Sequence, residues 1–216
     1  MLQNVIAGLQ GMIDHAMVGH YVGYTANAAI GVSWQIILVV IVFVSSVFTG
    51  MAVLVARFAG ANEPEKVNRV VYQSFLTAAG LAVILGATGW FAAPSLLDLV
   101  HASPEVHAEA LPFLRTMFAG IVGMMMFFML SGAFRAAGDP HTPLKLGIGM
   151  TVLTIIFNVI MIPRLGTIGA AYGTVASSSL VSAYGIWRLT RPDSVIHFET
   201  GLHRGPDFTE IGRAHV

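Results

Sequence analysis

The chain has 216 residues, 56% of them hydrophobic and only 10% charged, and its formal net charge is zero. Soluble domains carry about 25% charged residues, so too few polar side chains are present to cover a water-facing surface, and lipid must solvate much of this one. Zero net charge without a basic patch excludes an electrostatic footing for nucleic acid, and the absence of cysteine excludes disulfides, thiol chemistry and cysteine metal sites.

Six apolar segments each reach the length of about 20 helical residues needed to cross a hydrocarbon core of about 30 Å. Uninterrupted apolar runs argue for helices over the alternating strands of a barrel. The expected fold class is all-α: a polytopic membrane protein with six transmembrane helices. The first span runs from about Leu2 to Val22 and contains Gly11-Met12-Ile13-Asp14-His15-Ala16-Met17-Val18-Gly19. A charged side chain at the centre of a bilayer helix costs roughly 2.5–3.5 kcal/mol on insertion scales, so Asp14 is a functional candidate. Gln3, Gln10, Asp14 and Tyr21 share its helix face, with Met17 beside them. His15 and His20 are five residues apart, the wrong spacing for one face, and no metal site is expected.

The second span is Ser33 to Phe58, closed by the polar turn Gly60-Ala61-Asn62-Glu63-Pro64-Glu65-Lys66, and the third is Val67 to Ala93. Ser103 and Pro104 read as an N-cap and first helical position ahead of the fourth span, Ala108 to Ala136. Gly138-Asp139-Pro140 is a breaker before the fifth span, Thr142 to Ile162, and the sixth is Gly166 to Leu189. On the fifth, Thr151, Thr154 and Asn158 share a face; on the sixth, Thr174, Ser178 and Ser182 do, with Ser177 adjacent. Such rows either glue helices together, at about 0.6–2 kcal/mol per contact, or line a wet cavity in which Asp14 binds and releases a cation or proton. Gly19-x-x-x-Gly23 and Gly169-x-x-x-Gly173 match the pattern for close helix approach.

The loops after the even-numbered spans hold Arg57, Lys66, Arg69, Arg135, Lys145, Arg188 and Arg191, whereas the opposite side holds only Arg115 and Arg164. By the positive-inside rule both termini face the cytoplasm. Residues 1–190 form the transmembrane lobe. Residues 191–216 read as a polar tail, and the last seven, Glu210 to Val216, resemble a translated sequencing adapter, so the natural gene is expected to continue. No His-Glu-x-x-His, Gly-x-Ser-x-Gly or phosphate-cradling loop occurs, which argues against an intramembrane lipid-processing enzyme and against any bound cofactor.

Four stretches in order resemble the N-terminal lobe of the multidrug and toxic compound extrusion (MATE) family. They are Ile13-Asp14-His15-Ala16-Met17-Val18-Gly19, Gly50 to Ala61, Phe134-Arg135-Ala136-Ala137-Gly138-Asp139-Pro140, and Asn158 followed by Gly166 to Thr174. The resemblance implies one lobe of a twelve-helix antiporter. Organic, often cationic drugs would leave across the cytoplasmic membrane in exchange for protons or sodium, and a C-terminal lobe would complete the cavity. It implies coupling roles for Asp14, Asn158 and Thr174; Gln10, Met17, Tyr21, Thr154 and Ser178, on the same polar faces, are the candidates to line the cavity. Many relatives carry a second acid four residues after the Asn, where this chain has Ile162. One carboxylate supplies a sodium ion poorly, so a proton is favoured and any sodium site at Asp14, Asn158 and Thr174 would be weak. A lipid-linked saccharide flippase of the same superfamily would need a more basic cavity, for which Arg115 is the one candidate; it is expected to snorkel to the interface instead. A lone lobe is expected to be inactive without its facing half.

Overall fold

A computed structural model of the chain describes residues 18–20 and 22–189. The first span, with Gln3, Gln10, Asp14, Met17 and Tyr21, lies outside the described residues apart from its end, as does the tail 191–216. The described residues form six long helices: α1 Tyr24–Gly60, α2 Pro64–Leu99, α3 Pro104–Ala119, α4 Ile121–Ala136, α5 His141–Leu165 and α6 Thr167–Leu189. Among the described residues there is no strand, in agreement with the all-α expectation.

The helix ends follow local chemistry. Gly23, at φ 113°, opens α1 from a conformation that costs glycine nothing. Nothing lies within 4 Å of a Cβ placed there. Gly23 therefore breaks the chain, and the Gly19-x-x-x-Gly23 pattern is not a helix-packing pair. Between α1 and α2, Asn62 turns the chain at φ 58°, a region Asn tolerates, and Pro64 starts α2 where its missing N–H costs nothing. Ser103 Oγ accepts from the Val106 N–H at 3.5 Å and caps α3, as its sequence position suggested.

The Gly138-Asp139-Pro140 breaker is a two-sided cap. The Asp139 N–H closes the end of α4 on the Phe134 carbonyl at 2.9 Å. The Asp139 Oδ1 accepts from the His141 and Thr142 N–H groups, each at 3.0 Å, and so starts α5. Burial works against ionisation of this carboxyl, yet hydrogen bonds from the Thr142 hydroxyl and from the Thr142 and His141 N–H groups outweigh it and hold it below the ordinary value of 3.8. Asp139→Ala is expected to lower stability by about 1 kcal/mol, read as a lower melting temperature in detergent. A depressed carboxyl stabilises the fold above its unfolded value and loses that contribution as pH falls through its folded value. The two melting curves should therefore converge in acid.

The expected fourth span is not one rod. It breaks at Gly120 into α3 and α4, bent by 53°. A Cβ on Gly120 would overlap the side chain of Val175 on α6, and one on Gly89 of α2 would overlap the Phe118 ring. The bend is thus seated on both sides by glycine. α4 is the centre of the lobe, with Met125, Met129, Leu130 and Phe134 fully buried, and Phe113, Leu114 and Met117 of α3 extend that core. α1, α2 and α6 pack around it, and α5 joins chiefly through α6. Leu38, Val42 and Phe43 of α1, Ile84 and Phe91 of α2, and Ile156 and Val159 of α5 remain exposed on the outside, as lipid contact requires. Among the described residues α1, α2 and α5 are each long and apolar enough to span a membrane, and the bent pair makes a fourth. α1 and α2 start earlier and end later than the apolar runs suggested.

Candidate functional site

α5 and α6 are antiparallel neighbours joined at Gly166, whose φ of 62° lets the chain reverse within one residue. They close on each other through Gly169-x-x-x-Gly173. A Cβ on Gly169 would sit 2.5 Å from the Met161 carbonyl oxygen, and one on Gly173 would overlap the Asn158 Oδ1. This glycine pair is a true close-approach seam.

Thr154 and Asn158 of α5 and Thr174, Ser177, Ser178 and Ser182 of α6 are all buried. The structure places Asn158, 1% exposed, directly against the α6 backbone, one residue from Thr174. Most of the hydroxyls do not join helices. Thr154 donates to Met150 O at 2.8 Å, Thr174 to Ala170 O at 3.1 Å, Ser177 to Gly173 O at 2.7 Å and Ser178 to Val175 O at 3.0 Å, all within their own helix. Only Ser182 crosses, donating to the Gly123 carbonyl of α4 at 2.7 Å. The interhelical-glue reading of these rows therefore fails for all of these hydroxyls except Ser182. A hydroxyl on an apolar seam finds its nearest acceptor one turn back on its own helix.

The end of the first span meets this hairpin. Val18 is fully buried, and the Val22 Cγ1 lies 3.6 Å from the position of a Gly166 Cβ. Ile162 is 1% exposed in the core, with its backbone N 3.0 Å from the position of a Gly169 Cβ.

Three further features were not read from the sequence. An apolar crevice between α1 and α4 is lined by Ile37, Val40, Ile41, Val44, Ile121, Met124, Met125 and Phe128. Gln73 of α2 is 1% exposed, and its amide has no hydrogen-bond partner among the described residues. The Thr167 hydroxyl, at the start of α6, donates to Glu109 Oε2 of α3 at 2.7 Å. A long amide side chain inside a span, as Gln73 is, was the available signal for the second; the other two depend on how helices pair. The Arg115 guanidinium stacks 5.6 Å from the centre of the Trp90 ring. Among the described residues no group of three or more His, Asp or Glu is placed to hold a metal ion.

The MatE family model matches residues 1–160. The probable multidrug resistance protein NorM of Thermotoga maritima is 30% identical over 183 residues, which is 82% of this chain and 39% of that protein. The probable multidrug resistance protein YpnP of Bacillus subtilis is 26% identical over 193 residues, 87% of this chain and 42% of that protein. The fold matches a solved outward-facing multidrug resistance MATE family transporter of the MOP superfamily with a TM-score of 0.89 at 23% identity, covering 99% of this chain and 48% of that one. The chain thus spans less than half the length of the relatives it matches. With the family model matched across residues 1–160, the chain belongs to the MatE family.

Proposed function

We propose that this lobe couples ion entry to the export of organic, often cationic small molecules across the cytoplasmic membrane, working with a second lobe of similar size. One observation carries the placement of the coupling site. Val22 packs on Gly166, and each candidate lies eight residues from that contact: Asp14 before Val22, Asn158 before Gly166 and Thr174 after it. Eight residues at 1.5 Å each put Asn158 and Thr174 about 12 Å along α5 and α6 from that contact, and Asp14 is assigned to the same site from its place in the sequence. Thr154 and Ser178 lie one turn further from it, and Gln10 one turn beyond Asp14, which suits them to line the same cavity.

The ion is a proton. Ile162 supplies no oxygen where a second acid would stand, and a single carboxylate with an amide and a hydroxyl is a poor sodium cage. A lipid-linked pyrophosphate is disfavoured, because Arg115 is held on Trp90. Both termini face the cytoplasm on the charge bias of the loops. The role is transport, and no catalytic residue is assigned.

The test uses the protein from its full open reading frame in cells stripped of their own drug pumps. They should accumulate less ethidium than controls. A protonophore should restore accumulation, and removing sodium should not. Ethidium levels indifferent to expression, or sensitive to sodium alone, would sink the reading.

A further inference from the structure

The two glycines of the α5–α6 seam face different things. Opposite Gly169 stands backbone: the Met161 carbonyl oxygen and carbon lie 2.5 and 2.6 Å from its would-be Cβ, and Ile162 N lies at 3.0 Å. Opposite Gly173 stands a side chain. Its would-be Cβ overlaps the Asn158 Oδ1, with the Asn158 Cγ at 3.1 Å and the Phe157 Cβ at 3.4 Å. The glycine hydrogen there points at the amide oxygen, a weak C–H···O contact of the kind recurrent at helix interfaces. Gly173 is itself held in place, because its carbonyl accepts from Ser177 at 2.7 Å within α6. Any group added at 173 therefore shifts the Asn158 carboxamide, which is 1% exposed. Thr174 is not affected in the same way, since its hydroxyl is bonded to Ala170 O at 3.1 Å.

We propose that Gly173 is a positioning residue: the absence of a Cβ there seats the Asn158 carboxamide and so sets the proton concentration at which the lobe exchanges its coupling ion. This rests on the assignment of Asn158 to the coupling site made above.

The experiment reconstitutes the protein from its full open reading frame in liposomes and follows pH-driven ethidium transport. Gly173→Ala should shift the proton concentration for half-maximal transport by about tenfold, the effect typical of disturbing a group that orients a site residue. The ethidium concentration for half-maximal rate should not move. On an Asn158→Ala background, Gly173→Ala should add nothing, because the group it displaces is gone. Gly173→Ala with Asn158→Ser, whose shorter side chain removes the overlap, should return membrane abundance and melting temperature to the level of Asn158→Ser alone. A parental pH profile for Gly173→Ala, or an effect that multiplies with Asn158→Ala, overturns the proposal. Should Gly173→Ala fail to accumulate, the Asn158→Ser combination decides: recovery supports the overlap and continued failure overturns it. If instead Asn158→Ala leaves the pH profile unmoved, the site assignment itself fails, and the positioning role falls with it.

Discussion

Asp14→Asn is expected to abolish proton-driven efflux while the protein inserts and accumulates at least as well as the parent. The amide keeps the shape and much of the hydrogen bonding of the carboxyl but cannot take up and release a proton. Removing the charge also relieves part of the roughly 2.5–3.5 kcal/mol that an Asp at the centre of a bilayer helix costs on insertion scales, since an amide is cheaper to bury than a charge. Loss of function with equal or greater abundance separates a coupling role from a folding role, because a folding residue would show both losses together. Ethidium efflux driven by an imposed pH gradient, beside in-membrane abundance, reads the two quantities. Asp14→Glu should keep part of the activity. A fully active Asp14→Asn protein would remove the coupling site from this helix.

Gly169→Leu is expected to unfold the α5–α6 hairpin. The Met161 carbonyl lies 2.5 Å from where even a Cβ would begin, and that oxygen belongs to backbone that cannot rotate away. Overpacking by a methyl group costs about 1–3 kcal/mol, so Gly169→Ala should survive with a lower melting temperature. A Leu must force the helices apart, which strips Asn158 and Thr174 of their neighbours and leaves α5 attached mainly through its contact with α4. Limited proteolysis in detergent should then cut within residues 141–189 before the α1–α2 hairpin. A melting temperature for Gly169→Leu equal to that of the parent would show that the seam is looser than its geometry.

Much of this was legible in the residues. Apolar run length, which reflects the thickness of a bilayer, marked the second to fifth spans, whereas α6 is less apolar than a membrane-crossing helix. Ser103, Pro104 and the Gly138-Asp139-Pro140 breaker marked their ends, because caps are local chemistry. The rows at Thr154–Asn158 and Thr174–Ser178–Ser182 were correctly placed on buried faces. The break at Gly120 was not legible, since glycine recurs throughout the chain and only the side chain of Val175, distant in sequence, seats this one. Hydroxyl partners were left open for a similar reason: whether Ser182 reaches α4 while Ser177 turns back on α6 depends on how near a foreign carbonyl comes. The two glycine patterns looked alike, but one sits at a positive φ that breaks a helix and the other on a continuous one.

The length of α1 carries a mechanical consequence. Its 37 residues make a rod of about 55 Å, far longer than the hydrocarbon it crosses. At its end Phe58 lies between two cations, Arg57 at 5.9 Å and Lys66 at 5.4 Å from the ring centre. Rocking such a rod by 10° about its middle would carry that turn through about 5 Å. The helix is in effect a lever, and a label at Phe58 would report a tilt too small to detect at the membrane centre.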